Sequence, residues 1–447
     1  MARHDVVMFN LSETTRDPRV RRLAATLAAR GDRIVVLGTR AESSIAEESL
    51  EGFEIRRLPL PSAVDAWQQM RRLPRASPWA FDLLQEVAPQ VAAVSDRITF
   101  LGRRAAWGLH HRLTKLGGRV VAPLASLPAP WAEAREVASL WRALAVNLRL
   151  AEAAVALAPS VVHCNDLNTL LAGVLVKRRL DVPLVYDAHE IFAEQFATDA
   201  RSELWHSFYT GLERRLLAHT DLRLTVCASL ARYFERTYDA GAFVDLPNVP
   251  SLRLLADAGC LERRRARRQI LYHGVFHPHR GLEEVIAAVP DVPDAEFVFR
   301  GLGSREPALR ALAAKSRAAA RIRFAPPVAV DELIGAAASA DVGLNPFLPT
   351  CRNTEYALPN KFFEYMMAGL AVASTDLVEM RALTKALQIG VLFDPQREGG
   401  IAAALNGLLA DPDRLDACRR RAHEAARTTY HWENVRPRFL ALYDQLR

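Results

Sequence analysis

Short apolar runs followed by helix-spaced amphipathic stretches recur along this sequence, and they recur in two series. In the first series DVVMF (5–9) precedes the helical pattern RVRRLAATLAARG (19–31), and RIVVLGT (33–39) follows it. Strand, helix and strand in that order make a βαβ unit, whose parallel strands must be covered on both faces. FEIRRLPL (53–60) offers a further strand. The rhythm resumes with a helix to about 158, then VVHC (161–164), a helix from about 168, PLVYD (183–187) and a helical stretch 200–219. LRLTVC (222–227), a helix at 229–238 and FVDLP (243–247) close the series.

Residues 250–268 read as a linker. The second series runs ILYHG (270–274), a helix from Gly281, EFVFRG (296–301), a helix 304–319, RIRFA (321–325), a helix 331–338 and DVGLN (341–345). LPNKFFEYMMAG (358–369), LAVAST (370–375), IGVLF (389–393) and two terminal helices complete it. The pattern predicts an α/β chain of two doubly wound, Rossmann-like domains, 1–248 and 249–428, with a helix in 429–447 packing back on the first. Ligands of such sheets sit beyond the carboxyl ends of the strands, which predicts a site in a cleft between the domains.

At 447 residues the chain is too long for one ordinary core, and 50% apolar with 24% charged residues is a globular balance. The net charge of +7 says little about partners, because only five of the 58 basic residues are Lys and the rest is an arginine bias. The run RRRARR (263–268) has no interleaved aromatics, so it predicts a solvated surface and no nucleic-acid partner. Five widely spaced cysteines predict neither disulfides nor a metal cluster. With no leader-like start and no apolar stretch of the ~18–20 residues a membrane helix needs, a cytoplasmic protein is expected. Residues 61 to about 135 break the rhythm with Pro, Trp and basic helical pieces. They predict a solvated elaboration, an acceptor lid, or a surface that meets anionic membrane on its inner face.

Several segments concentrate polar chemistry at strand ends. YHGVFHPHRGLEE (272–284) places Gly274 at a strand end and Arg280 beside a helix start, which suits a phosphate. FRGLGS (299–304) adds Gly301 and Gly303, consistent with close backbone approach to a ligand. The H-P-H tripeptide within 272–284, His277 to His279, lacks a third metal ligand. DPD (411–413) reads as a helix cap and not a metal motif. In LPNKFFEYMMAG, Pro359 suits a first helical turn, so Lys361 and Glu364 lie about 60° apart on one face. A helix start with Lys361 suits a diphosphate, and a carboxylate one turn later suits two ribose hydroxyls; an i,i+3 ion pair is the plain alternative. VVHCNDLNT (161–169) and VYDAHEIF (185–192) gather His, Asn, Asp and Glu at strand ends, with helix capping as the plain alternative.

Taken in order, DPRVRRLAATLAARG, VVHCNDLNTLLAG, PLVYDAHEIF, LPNVP, YHGVFHPHRG, FRGLG, ADVGLNP and LPNKFFEYMMAGLAVAST resemble the family 4 glycosyltransferases, retaining enzymes of the GT-B fold. The resemblance covers nearly all of the chain outside 61 to about 135. It implies transfer of a hexose from a nucleotide-diphosphate sugar, UDP favoured, to an acceptor hydroxyl, without a metal or other cofactor. It gives Arg280 the neutralisation of the leaving diphosphate and Glu364 the ribose. Leu358, Pro359, Asn360 and Lys361 would meet phosphates or donor sugar, and Gly274, Gly301 and Gly303 would line the donor site. Asn165 and Asp166 fall where the family has polar contacts to donor sugar or acceptor. Asp17, Arg19, His189 and Glu190 are acceptor-side candidates. Tyr356 stands where the family carries the first of two glutamates eight apart, with Glu355 one position off, and Val275 stands where an arginine follows the glycine. A sugar-nucleotide epimerase and a non-catalytic nucleotide-sugar-binding protein share the architecture and are the alternative readings.

Overall fold

A computed structural model describes residues 5–11, 17–40, 45–62, 65–66, 68–69, 82, 129–195, 203–262 and 267–446. Most of the 61–135 insert and Arg263 to Ala266 of the basic run therefore lie outside the described residues, and so do the expectations placed on them. The chain divides into two compact units. The first is Met1–Thr225 with Tyr233–Val244 and Leu442–Arg447, and the second is Val226–Arg232 with Asp245–Ala441.

The first unit is built on an eight-stranded sheet in the order β3-β4-β2-β1-β5-β6-β7-β8. Its strands are β1 (Asp5–Phe9), β2 (Arg33–Arg40), β3 (Glu47–Leu50), β4 (Phe53–Pro59), β5 (Val161–Asn165), β6 (Leu184–Ala188), β7 (Leu222–Thr225) and β8 (Val244–Asp245). The run from β4 through β7 is parallel, and β3 adds an antiparallel edge. Helix α1 (Pro18–Arg30) shows how locally the sequence sets its elements. Asp17 caps it by accepting the Arg19 and Val20 amides, Pro18 fits the first turn, and Gly31 closes it at φ 102. Such a cap contributes about 1 kcal/mol. Val20, Leu23, Ala24 and Leu27, spaced 0, 3, 4 and 7, are the buried stripe. Helices α2 (Ala129–Leu157), α3 (Leu167–Leu180), α4 (Glu203–Leu216) and α5 (Ala228–Tyr238) continue the chain, with the start of α5, up to Arg232, counted in the second unit.

The second unit carries a wholly parallel six-stranded sheet in the order β11-β10-β9-β12-β13-β14. These strands are β9 (Arg268–His273), β10 (Ala295–Arg300), β11 (Ile322–Ala325), β12 (Val342–Asn345), β13 (Ala371–Thr375) and β14 (Gly390–Phe393). The order reverses between β9 and β12, the switch point at which such sheets open a crevice. Alternate residues of β9 feed opposite cores: Ile270 and Tyr272 enter one layer and Leu271 the other. That is why the strands read as continuous apolar runs and not as alternating ones. Helix α6 (Leu282–Ala288), α7 (Glu306–Lys315), α8 (Leu333–Ala337), α9 (Arg352–Glu355), α10 (Asn360–Met367), α11 (Val378–Leu387), α12 (Gly400–Leu409), α13 (Pro412–Thr428) and α14 (Trp432–Asp444) complete the order.

The structure departs from the sequence reading in three places. Three helices follow β14 where two were expected. The polar strand β3 was not foreseen. Residues 250–262 pack as part of the second unit instead of linking: Cys260 is buried, and the buried Arg419 guanidinium donates to the carbonyls of Cys260 and Gly369. Among the described residues, no helix is long and apolar enough to cross a membrane.

Candidate active site

At the switch point of the second sheet the chain leaves β9 through His273 and Gly274. The turn after β10 lies directly against it. A Cβ on Gly301 would stand 2.0 Å from the Gly274 carbonyl oxygen, and one on Gly303 would stand 2.3 Å from that of Phe276. With φ of 150 and 159, both positions require glycine for the chain's own packing. Gly274 (φ 133) faces the Lys361 ammonium, whose Nζ lies 3.0 Å from where a Cβ would be.

Lys361 enters from the first turn of α10. Phe362, Phe363, Met366 and Met367 are buried and fix that helix in the core, as the sequence pattern predicts. The ammonium sits over the Tyr272 ring, 4.0 Å from its centroid, and 5.3 Å from that of Phe347. The Arg280 guanidinium packs on the same Phe347 ring at 4.5 Å. Burial, helped by the Arg280 charge and opposed by Glu364, pushes the Lys361 pKa well below the ordinary lysine value. Pro359 is the cap residue and not the first helical one, and it supplies no side-chain bond to the first turn. The Phe362 amide donates back to the Pro359 carbonyl at 2.9 Å, and the Asn360 and Lys361 amides ahead of it are left for a ligand or solvent. Asn360 accepts from Asn248 at 2.6 Å, and Leu358 packs against the core. Glu364 is partly exposed, and its Oε2 lies 2.8 Å from Nε2 of His273. The plain i,i+3 pairing with Lys361 is thus replaced by a pairing across to β9. Tyr356 ends α9, its carbonyl receiving the Cys227 thiol, and Glu355 lines a cleft of about 470 Å³ with Arg352, Asp376 and Arg381.

The first unit places a second polar group at the carboxyl ends of β5 and β6. Asp187 is fully buried and receives Arg19 in a two-pronged pair, Nε to Oδ2 and Nη2 to Oδ1, both 2.7 Å. His189 stands with Nε2 3.1 Å from Asp187 Oδ2 and Nδ1 3.3 Å from Asp166 Oδ2. Burial alone would lower the His189 pKa, but the two carboxylates outweigh it and hold it well above the ordinary value. Burial likewise opposes ionisation of Asp187, and Arg19 and His189 overcome it, keeping that carboxyl well below its usual range. His163 is buried with Nδ1 against the Tyr443 hydroxyl, and burial lowers its pKa. Asp166 adopts φ 61 at the start of α3 without capping it. Asn165 is buried and donates its amide to the Phe9 carbonyl at 2.9 Å, tying β5 to β1. Asp17 caps α1, and Glu190 accepts from Gln195.

The structure thus brings Arg280, Lys361, Glu364 and Gly274 together in the second unit, and Arg19, Asp166 and His189 in the first. Sequence reasoning did not single out Asp187, His163, His273 or Tyr443. The first three lay inside quoted strand-end motifs, where position was a usable signal. Tyr443 carried none. Among the described residues, no three His, Cys, Asp or Glu side chains gather as a metal-binding set.

A family model for "Glycosyl transferases group 1" matches residues 267–411, which hold the whole second-unit site. A model for "Glycosyltransferase Family 4" matches residues 120–244, which hold Asp166, Asp187 and His189. The chain is a glycosyltransferase, with one such model matched in each unit. Among curated relatives, the phosphatidyl-myo-inositol mannosyltransferase of Mycolicibacterium smegmatis is 27% identical over 290 residues, 64% of this chain and 70% of that protein. A glycogen synthase of Mycobacterium tuberculosis is 25% identical over 293 residues, 62% of this chain and 66% of its own. Of solved structures, sucrose-phosphate synthase from Thermosynechococcus elongatus superposes with a TM-score of 0.70 at 15% identity, covering 99% of both chains. Anabaena Alr3699/HepE in complex with UDP gives 0.63 at 12% identity, covering 99% of this chain and 100% of its own. The fold of this glycosyltransferase is accordingly of the GT-B class, two parallel-sheet α/β units.

Proposed function

We propose that this glycosyltransferase moves a hexose from a UDP-sugar to an acceptor hydroxyl with retention at the anomeric carbon. The observation that carries the donor half is the pairing of Lys361 and Arg280 around Phe347 beside an uncapped helix start. Two cations and orphan amides at the switch point of a doubly wound sheet suit a diphosphate. Glu364, three residues along the same helix face, suits the ribose hydroxyls. Solved neighbours carrying UDP support the choice of nucleotide.

In this reading the acceptor oxygen bonds to the anomeric carbon on the face from which UDP departs. The carbon–phosphate oxygen bond breaks, and the departing phosphate oxygen takes the acceptor's proton. Charge stabilisation by Arg280 and Lys361 then does most of the catalysis. Asp166 and His189 in the first unit are the candidates for handling the acceptor. The test is sugar transfer or slow donor hydrolysis from UDP-sugars by the wild-type protein and by Arg280→Ala and Glu364→Ala. Each variant is expected to lose at least about a hundredfold in kcat/KM with an unchanged melting temperature. Wild-type turnover in both overturns the reading.

A further inference from the structure

We infer that His273, at the last position of β9, is the positioning residue that aims Glu364 at the ribose and so sets preference for ribonucleotides. This rests on the reading that Glu364 meets the ribose. A glutamate on a helix surface has free rotation about several bonds, and holding it for a ligand needs a second contact. His273 supplies one. Its ring is buried, with side-chain exposure of 2% against 16% for Glu364, and Nε2 lies 2.8 Å from Oε2. The approach is off the line of a hydrogen bond, and both ring nitrogens lack partners in that geometry. A buried donor in that position is costly unless the occupied site completes its bond. A carboxylate has two oxygens. With Oε2 turned to His273, Oε1 is left for the sugar.

The ring of His273 is itself fixed. It lies 4.6 Å, centroid to centroid, from the Tyr365 ring. The Tyr365 hydroxyl accepts the His273 backbone N–H at 3.1 Å and donates to the Leu344 carbonyl at 3.2 Å, joining β9 to β12 across the switch point. Gly343 makes this possible, because a Cβ there would fall 2.2 Å from the Tyr365 ring. Gly343, Tyr365, His273 and Glu364 therefore form one line of contacts from the sheet to the site. Lys361 is not on that line. It faces Tyr272 and Phe347, so phosphate and ribose contacts have separate supports.

The experiment is calorimetric titration of UDP and 2′,3′-dideoxy-UDP into the full-length wild-type protein and into Glu364→Ala, His273→Ala and His273→Gln. The wild type is expected to favour UDP by about tenfold or more, as for a pair of hydroxyls on a carboxylate. Glu364→Ala and His273→Ala are both expected to reduce that ratio to about threefold or less. His273→Gln, which keeps a donor near Nε2, restores most of it. If His273→Ala does not fold, His273→Phe keeps a ring against Tyr365, removes the donor and reads the same ratio. A wild type that does not bind UDP or shows no preference, or a Glu364→Ala variant that keeps it, overturns the ribose reading itself. A preference that depends on Glu364 but survives in His273→Ala or His273→Phe overturns only the role of His273.

Discussion

His189 and Asp166 are joined twice: the His189 backbone N–H donates to Oδ1 at 3.0 Å, and the ring Nδ1 stands 3.3 Å from Oδ2. With Asp187 on its other nitrogen, the imidazole is held as a cation. Its folded pKa is raised, so the stability it contributes is complete below the unfolded value near 6.5 and is lost as pH rises through the higher folded value. Proton NMR titration is expected to show one histidine charged at pH values where an ordinary imidazole is neutral. Asp166→Asn brings that resonance back toward the ordinary range. A set of histidines all titrating near 6.5 contradicts the arrangement.

The Arg19–Asp187 pair is fully desolvated, and removing Asp187 takes a two-pronged carboxylate from the buried Arg19 guanidinium and a close counter-charge from His189. Asp187→Ala is expected to cost about 3–5 kcal/mol in urea unfolding. The double change Arg19→Met with Asp187→Leu is expected to cost less than Asp187→Ala alone. A double variant worse than the single would show that the pair is net stabilising and not merely balanced.

Glu213 sits fully buried between two phenols, accepting from Tyr186 at 2.6 Å and from Tyr238 at 2.7 Å. Burial raises its pKa from 4.5 to about 7 against the pull of those two hydroxyls. The folded chain therefore holds a proton that the unfolded chain has released. Stability attributable to this group falls as pH rises from about 4.5 to about 7, by up to about 3 kcal/mol. Glu213→Gln keeps hydrogen bonding and is expected to flatten that slope, as measured by denaturant midpoints across the interval.

Lys361 predicts a linkage of binding to protons. Its lowered pKa in the free site is restored upward when a diphosphate arrives, so binding takes up protons and weakens as pH rises through that range. Calorimetry of UDP in buffers of different ionisation enthalpy is expected to report net uptake in the wild type and none in Lys361→Met. Equal heats in every buffer for the wild type refute this.

The two sheets and the α10 site were legible because buried parallel strands leave continuous apolar runs and because cap residues such as Asp17 and Gly31 mark helix ends. β3 escaped because EESL is an edge strand, half exposed and built of residues that favour no strand. Residues 250–262 were misread because short 3₁₀ turns have no periodicity, and their burial depends on Arg419, far along the chain. His273 was visible as a letter in a quoted motif, but its contact with Glu364 is made between residues 91 positions apart. Local pattern cannot report such a pairing. Gly274, Gly301 and Gly303 were read toward a ligand, and the structure shows that backbone meeting backbone already demands two of them.

Tyr443 is completely buried beside His163, and its position in sequence sets an order of events during synthesis. The first unit holds most of its strands within the first half of the chain, yet the buried Tyr443 side chain joins it only after residue 443 has been made. A nascent chain stalled anywhere before that point lacks the phenol that meets the buried His163 ring. Nucleation can begin early, but closure waits for a contact 280 residues distant. Ribosome-tethered fragments ending just before and just after Tyr443 should therefore differ sharply in protease resistance.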